Sequence, residues 1–274
     1  MMDFKSKIFL IYGPTASGKS EFAVRLAKKL KGEIINADSM QVYRDFKILT
    51  ARPLKKDFKK IKHHLYGFHN ANKNFSAGDW LKMASKKIFE IKNKKKTPIL
   101  VGGTGLYYKA LVDGLVEFPK IPLGFRNKVR KLHKDLGQDR FYKKLVQTDP
   151  HIINQIKSTD VQRSIRAYEI KTYTNKSLVE WYKKTNTKFK KGDFYKIIID
   201  FPRPELVEKI KIRTAKIIDS GAILEVKKFL KLKIPKDKSI SKAIGICEID
   251  QYLKKKIDRK NLIEKISIKT RQYA

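Results

Sequence analysis

Ile8-Phe9-Leu10-Ile11-Tyr12-Gly13-Pro14-Thr15-Ala16-Ser17-Gly18-Lys19-Ser20 decides how the rest of the chain is read. A short apolar run meets a glycine-bounded loop, and a helical pattern follows at once. The loop fits G-x-x-x-x-G-K-[ST], the phosphate-binding P-loop. Gly13 and Gly18 let the backbone wrap tightly, so that the N–H groups of Thr15, Ala16, Ser17 and Gly18 turn toward an anion. The helix that begins near Gly18 adds its positive end. Lys19 brings a mobile point charge to the outer phosphates, and the Ser20 hydroxyl is suited to ligate Mg²⁺. A chance glycine turn would not need both a buried strand before it and an amphipathic helix after it. Both are present.

Working outward, the 274 residues suffice for one large or two modest domains. No apolar run approaches bilayer length and the N-terminus carries no long apolar segment, so the expected location is cytoplasmic, with no membrane partner. The single cysteine, Cys247, excludes an internal disulfide and a multi-cysteine metal site, and is expected to behave as a small buried hydrophobe. Lys and Arg total 64 against 27 acids, a formal balance of +37. That points to a polyanionic partner, nucleic acid before an anionic membrane. Twelve of the 64 are Arg, and Ile and Asn are also abundant, as an A/T-biased coding sequence would make them, so compositional drift accounts for part of the excess.

Residues 7–12 read as a first buried strand and residues 18–31 as the first helix, closed by Gly32. Residues 33–36 read as a second strand, followed by Asp38. A strand, P-loop, helix and strand in this order argue for a parallel sheet with helices on both faces, with ligands beyond the C-terminal strand ends. Asp38 falls on that rim. Residues 47–74 are irregular and basic. The His63-His64 pair inside them, which cannot share a helix face and has no third ligand at zinc spacing, reads as a structural loop with one buried and one exposed imidazole. A helix is expected over 80–93, with Lys92 to Lys96 as its solvated end. A buried strand over 97–101 then runs into Gly102-Gly103-Thr104-Gly105, a second glycine turn that sets Thr104 on the same rim. From about residue 119 to 194 the strand signal fades and basic helical patterns dominate, with Asp149-Pro150 as a helix entry. This is read as an insertion, with 1–118 and 195–274 forming the core. The sheet resumes in a buried strand at 195–200, and a helix over 204–220 is closed by Gly221. The fold class is therefore α/β: a P-loop NTPase-like parallel sheet flanked by helices, with an inserted all-helical module.

The P-loop alone points to ATP or GTP, hence to a nucleotide-binding kinase or NTPase. It leaves Ile35-Asn36-Ala37-Asp38-Ser39-Met40-Gln41-Val42-Tyr43 unexplained. That run and the P-loop, with Thr50-Ala51-Arg52-Pro53, His63-His64-Leu65 and Val101-Gly102-Gly103-Thr104-Gly105-Leu106-Tyr107, resemble the tRNA dimethylallyltransferase (tRNA isopentenyltransferase) family of bacterial type. Asp160, Arg163, Arg166 and Ala167, Ala243-Ile244-Gly245 and Thr270-Arg271-Gln272-Tyr273-Ala274 extend the likeness, in order, over nearly the whole chain.

The resemblance implies transfer of a dimethylallyl group from dimethylallyl diphosphate to the N6 amine of the adenosine next to the tRNA anticodon (position 37), by a monomer using Mg²⁺. It implies that Asp38 is the base and that Thr104 contacts the target nucleotide and orients the reacting groups. Gly13, Thr15 to Ser20 and Arg213 would hold the diphosphate. Ser39, Met40 and Gln41 would contact the tRNA beside Asp38, Gln41 having an amide able to pair with an adenine edge. Arg126 and Gln162-Arg163-Ser164-Ile165-Arg166 would make the inserted module tRNA-binding, gripping the anticodon stem-loop. Without the resemblance, Asp38 is compatible with a helix cap, Thr104 with a turn residue, and Arg213 with a surface ion pair. Arg126, Arg163 and Arg166 are compatible with solvated helix faces.

The sequence departs from the family at Ile246-Cys247, where Tyr and a basic residue are usual, which puts tRNA contacts over 242–247 in doubt. Two other readings stay open: a P-loop kinase of a nucleotide or small metabolite, and a nucleotide-gated RNA-binding protein without transfer chemistry. A small adenylate acceptor in place of tRNA is a further variant.

Overall fold

The computed structural model describes residues 6–54, 58, 60–183, 185–236 and 238–274. Residues 55–57 and 59 of the irregular basic stretch lie outside the described residues. The chain divides into two compact units, Met1–Val112 with Phe189–Ala274, and Asp113–Lys188.

The first unit is built on five parallel strands: β1 (Ile8–Tyr12), β2 (Glu33–Asn36), β3 (His63–His64), β4 (Pro98–Val101) and β5 (Phe194–Ile198), in the order β3-β2-β4-β1-β5. Helices α1 (Lys19–Lys29), α2 (Ala77–Asn93) and α3 (Gly105–Asp113) flank it. Alternation along the central strands divides their side chains between two cores. Ile8, Leu10, Ile35 and Leu100 pack with Trp80, Ile88 and Leu111. Phe9, Ile11, Ile34, Ile99 and Val101 pack with Ala23 and Ala27 of α1. Strands covered on both faces read as continuous apolar runs, which is why the sequence marks them so clearly. A third core gathers α7 (Arg203–Ile217), α8 (Ile223–Lys231), α9 (Ile246–Leu253) and α10 (Arg259–Tyr273) around Phe46. Among the described residues no helix is long and apolar enough to cross a membrane.

Several local expectations are corrected. Helix α1 is closed by Lys31 in the left-handed region (φ 50°), while the Gly32 N–H bonds the Ala27 carbonyl at 2.8 Å. Gly32 is required by contact: a Cβ there would lie 2.8 Å from both Ile99 Cδ1 and the Thr97 carbonyl. Helix α2 starts three residues before 80, because Ser76 and Asp79 form a capping box. Lys96 is no mere solvated end, since its Nζ lies 2.8 Å from the buried Glu33 carboxylate, which His64 also meets at 2.7 Å. His63 and His64 form an edge strand, both half-buried, with His63 stacked on Phe58. Strand β5 is the other edge and is not buried; Ile198 is 65% exposed. Gly221 does not close α7: the helical path continues through a π-turn at Ile218–Ala222 into α8. Cys247 is exposed.

The second unit consists of α4 (Leu123–Thr148), kinked at Gly137, α5 (Val161–Thr174) and α6 (Leu178–Tyr182) around Leu145, Ile152, Ala167, Ile170 and Leu178. Asp149-Pro150 opens a short 3₁₀ turn, as its pattern suggests. The unit begins and ends six residues before the expected 119–194. Leu115 bridges Asn186 and Phe118 packs on Trp181, whereas Phe189 is buried in the sheet core against Phe89.

Candidate active site

Because every strand runs the same way, the C-terminal ends of β1, β2 and β4 meet on one rim, and three turns leave from it. The turn after β1 is the P-loop. Gly18 takes φ 83° with open space around a notional Cβ, so its need for glycine is conformational. Lys19 donates to the Pro14 carbonyl, and Arg213 of α7 donates to Thr15 Oγ1 at 3.1 Å. Burial, and then the neighbouring Arg213 charge, push Lys19 down to about 8, against an opposing pull from Asp38. Burial likewise lowers Arg213, again opposed by Asp38. Two desolvated cations thus face one carboxylate, and the Ser17 hydroxyl is buried with no hydrogen-bond partner among the described residues. An anion with several acceptor oxygens would satisfy both deficits.

The turn after β2 carries Asp38. Its Oδ1 accepts the N–H groups of Met40 at 2.8 Å and Gln41 at 3.2 Å, and among the described residues its other carboxylate oxygen accepts no hydrogen bond. The turn after β4 is stitched to it: Thr104 Oγ1 accepts from Ser39 N at 2.9 Å, and Thr104 N donates to the Ala37 carbonyl at 3.2 Å. Gly102 permits this approach, because a Cβ there would lie 2.1 Å from the Ala37 carbonyl carbon.

The P-loop, Asp38, Gly102 and Arg213 line a cavity of about 1030 Å³ that reaches from the P-loop to Arg52. A smaller, mainly apolar cavity of about 210 Å³ shares Thr15, Asp38, Arg213 and Tyr273 with it. Thr104 shares a hydrogen bond with Tyr273, whose phenol is pushed up by burial and the Asp38 charge. The Tyr66 phenol is raised for the same two reasons, so it stays a hydrogen-bond donor. One wall of the cavity is pinned from afar: the Glu225 carboxylate of α8 accepts from the N–H groups of Lys47, Ile48 and Leu49 at 2.7 to 2.9 Å.

Gly13, Thr15, Ala16, Ser17, Gly18, Lys19, Ser20, Asp38 and Arg213 therefore come together around one cavity. Gln41 also lines it, but its amide nitrogen donates to the Thr50 carbonyl at 3.0 Å and is not held ready for a base edge. Ser39 and Met40 are half-buried. Thr104, also in the first unit, is not among the residues lining either cavity and is tied instead to the Asp38 turn through Ser39. The remaining expected residues lie in the second unit. Gln162 and Arg163 are exposed, and Ile165 is half-buried. Ser164 is a correction: it is fully buried, donates to the Asp160 carbonyl at 2.8 Å, and has no surface to offer a tRNA. Arg126 and Arg166 approach the buried Glu169 carboxylate at 3.5 and 3.1 Å, and Arg166 lies over the Phe118 ring. Sequence reading assigned no role to Tyr66, Tyr273 or Glu225. A phenol two places beyond His64 and another in the terminal motif were visible signals. Glu225 left none, because its partners are more than 170 residues away.

Ser20 is the one expected metal ligand, exposed in the first turn of α1. A single hydroxyl fits a Mg²⁺ whose other ligands are phosphate oxygens and waters, and does not make a closed resident site.

The IPP transferase family pattern matches residues 41–274. A tRNA dimethylallyltransferase of Pelagibacter ubique is 60% identical over 273 residues, covering all of this chain and 87% of that protein. One from Rickettsia massiliae is 41% identical over 271 residues, 98% of this chain and 75% of the relative. Among solved structures, a eukaryotic dimethylallyltransferase acting on tRNA superposes with a TM-score of 0.85 at 27% identity, covering 98% of this chain and 68% of that one. The tRNA isopentenylpyrophosphate transferase of Bacillus halodurans does so at 0.68 and 30% identity, covering 98% and 84%. A five-stranded parallel sheet that brings a P-loop, an aspartate and a threonine to one rim, with these likenesses along the whole chain, leads to one conclusion: the chain belongs to the IPP transferase family.

Proposed function

We propose that this protein transfers a dimethylallyl group from dimethylallyl diphosphate to the N6 amine of the adenosine next to the anticodon of tRNA, releasing diphosphate. The observation that carries the reading is the single cavity shared by the Asp38 carboxylate and the cations Lys19 and Arg213. A base and a leaving-group site at either side of one space suit a displacement at carbon.

The adenine amine is a weak nucleophile because its lone pair is delocalised into the ring. As N6 bonds to C1 of the dimethylallyl group, its proton passes to the free oxygen of Asp38. The C1–O bond breaks and its electron pair leaves on the diphosphate. Lys19, Arg213, the Ser17 hydroxyl and the P-loop amides meet the charge that grows there. Ser20 would hold Mg²⁺ on the diphosphate, where the ion supplies further charge neutralisation. Thr104, tied to the Asp38 turn through Ser39, orients the acceptor. The target base must leave its stack to reach this cavity. Arg126, Gln162, Arg163 and Arg166 of the second unit supply charge and stacking planes for the anticodon arm. On this reading the P-loop serves a prenyl donor, and ATP is not its substrate.

The test is incubation with labelled dimethylallyl diphosphate and unmodified tRNA, beside a parallel reaction with labelled ATP. Label should pass from the prenyl donor to tRNA, and Asp38→Ala should slow that transfer by about 10²-fold or more while tRNA affinity stays within about threefold. Label passing from ATP to a small acceptor, with none reaching tRNA from the prenyl donor, would overturn the reading.

A further inference from the structure

Asn36, the last residue of β2, is fully buried, and its side-chain amide makes three hydrogen bonds. Its Oδ1 accepts from the Asp38 N–H at 2.9 Å, and its Nδ2 donates to the Asp38 carbonyl at 2.9 Å and to the Leu65 carbonyl at 3.0 Å. A primary amide offers one donor and one acceptor edge, as a peptide does. Here the two edges take the N–H and C=O of Asp38 much as a neighbouring strand would. Asp38 has already left the sheet, so no strand supplies that pairing.

The second bond from Nδ2 reaches Leu65, which sits in the left-handed region at φ 62°. A bulky residue adopts that conformation only where its surroundings hold it. The turn at Leu65 sends the next residue, Tyr66, into the cavity wall beside Asp38. The backbone of Asn36 is itself anchored, since its main-chain carbonyl accepts from Trp80 Nε1 at 2.8 Å.

We propose that Asn36 is a positioning residue for prenyl transfer: one amide fixes the backbone of Asp38 and, through Leu65, the placement of Tyr66. The proposal rests on the reading of Asp38 as the base. Few side chains could replace it. Aspartate lacks the donor, serine is too short to span both edges of Asp38, and glutamine is one carbon too long for so buried a site. Asn36 is fully buried and lines neither cavity, so its loss should change the rate of the chemical step and leave binding alone.

Asn36→Ser and the isosteric Asn36→Asp are compared with the wild-type protein. The single-turnover rate at saturating substrates should fall roughly 10- to 100-fold, the scale expected when a reacting group is misplaced by about 1 Å. Dissociation constants for tRNA and dimethylallyl diphosphate should stay within about threefold of wild type. Hydrogen exchange should accelerate at the Met40 and Gln41 amides, which Asp38 holds, and remain unchanged in β1 and β4. An unchanged single-turnover rate in the folded serine variant, or a rate loss that follows substrate affinity alone, overturns the positioning role. If the serine variant does not fold, the aspartate variant carries the same comparison. Wild-type protein that transfers no prenyl group would remove the reading beneath the inference, a result distinct from an active wild type with unaffected variants.

Discussion

At the scale of single residues, Lys19 shows how the cavity prepares itself for an anion. Its ammonium is desolvated and faces Arg213, so in the free protein it gives up its proton near pH 8. A bound diphosphate favours the charged form and raises that value. The complex therefore keeps its proton to higher pH than the free protein does. Donor affinity should be greatest below about pH 8 and should fall by up to about tenfold per unit above it, until the bound form also deprotonates. Calorimetric titration of dimethylallyl diphosphate between about pH 7 and about pH 9.5 checks this. Lys19→Met should bind more weakly at neutral pH and lose the dependence. A flat profile in the wild-type protein would exclude Lys19 from the diphosphate site. The same residue weakens the unbound fold. Below its folded value it is charged in both states and pays the desolvation cost, and that cost is relieved as pH rises from about 8 toward its unfolded value.

At the scale of elements, the site depends on how closely the turns after β2 and β4 approach. Thr104 bonds both Ser39 and Ala37, and Gly102 leaves no room for a methyl group against the Ala37 carbonyl. Gly102→Ala has only backbone to push against, so it should displace Asp38 and lower the turnover number by about 10²-fold. The P-loop, on a different turn, should still bind dimethylallyl diphosphate within about threefold. Measuring turnover and donor affinity on the same preparation separates the two effects, and equal losses in both would mean that the sheet end as a whole has shifted. The glycine turn was visible in the sequence, and so was its place on the rim. The contact that makes Gly102 indispensable was not, because Ala37 lies 65 residues earlier, just past β2, whose register only folding sets.

At the scale of the whole molecule, charge dominates. A balance of +37 predicts an affinity for tRNA that falls steeply with salt. If six to ten phosphates are neutralised, the loss between about 50 and about 200 mM salt is on the order of 10³- to 10⁵-fold. Arg163 is the arginine of its group most open to solvent, and among the described residues its side chain is met only by Asp160, at 3.4 Å. Arg163→Ala should reduce the salt slope by about one unit while prenyl transfer at saturating tRNA is unchanged. An unaltered slope would return Arg163 to the solvated face of α5. Arg126 and Arg166 are poorer reporters, because each also answers the buried Glu169, and removing one would disturb the unit's own packing.

The sequence by itself determined four of the five strands, the P-loop and the rim, and left the edge strand at His63–His64 as a loop. Apolar strands covered on both faces and glycine turns are local signals, written in consecutive residues such as 8–20 and 97–105. It also marked Asp38, Thr104 and the family motifs. Tertiary structure decided whatever depends on distant partners. It made β5 an edge although Lys196-Ile197-Ile198-Ile199 reads as core, buried Ser164 within a basic helix, and exposed Cys247. It also set Glu225 on the Lys47–Leu49 amides and the Asn36 amide on both Asp38 and Leu65. The physical reason is common to these cases. Residue type and spacing fix what a side chain can donate, accept or bury, but which group it meets is set by strand register and packing between segments far apart in the chain.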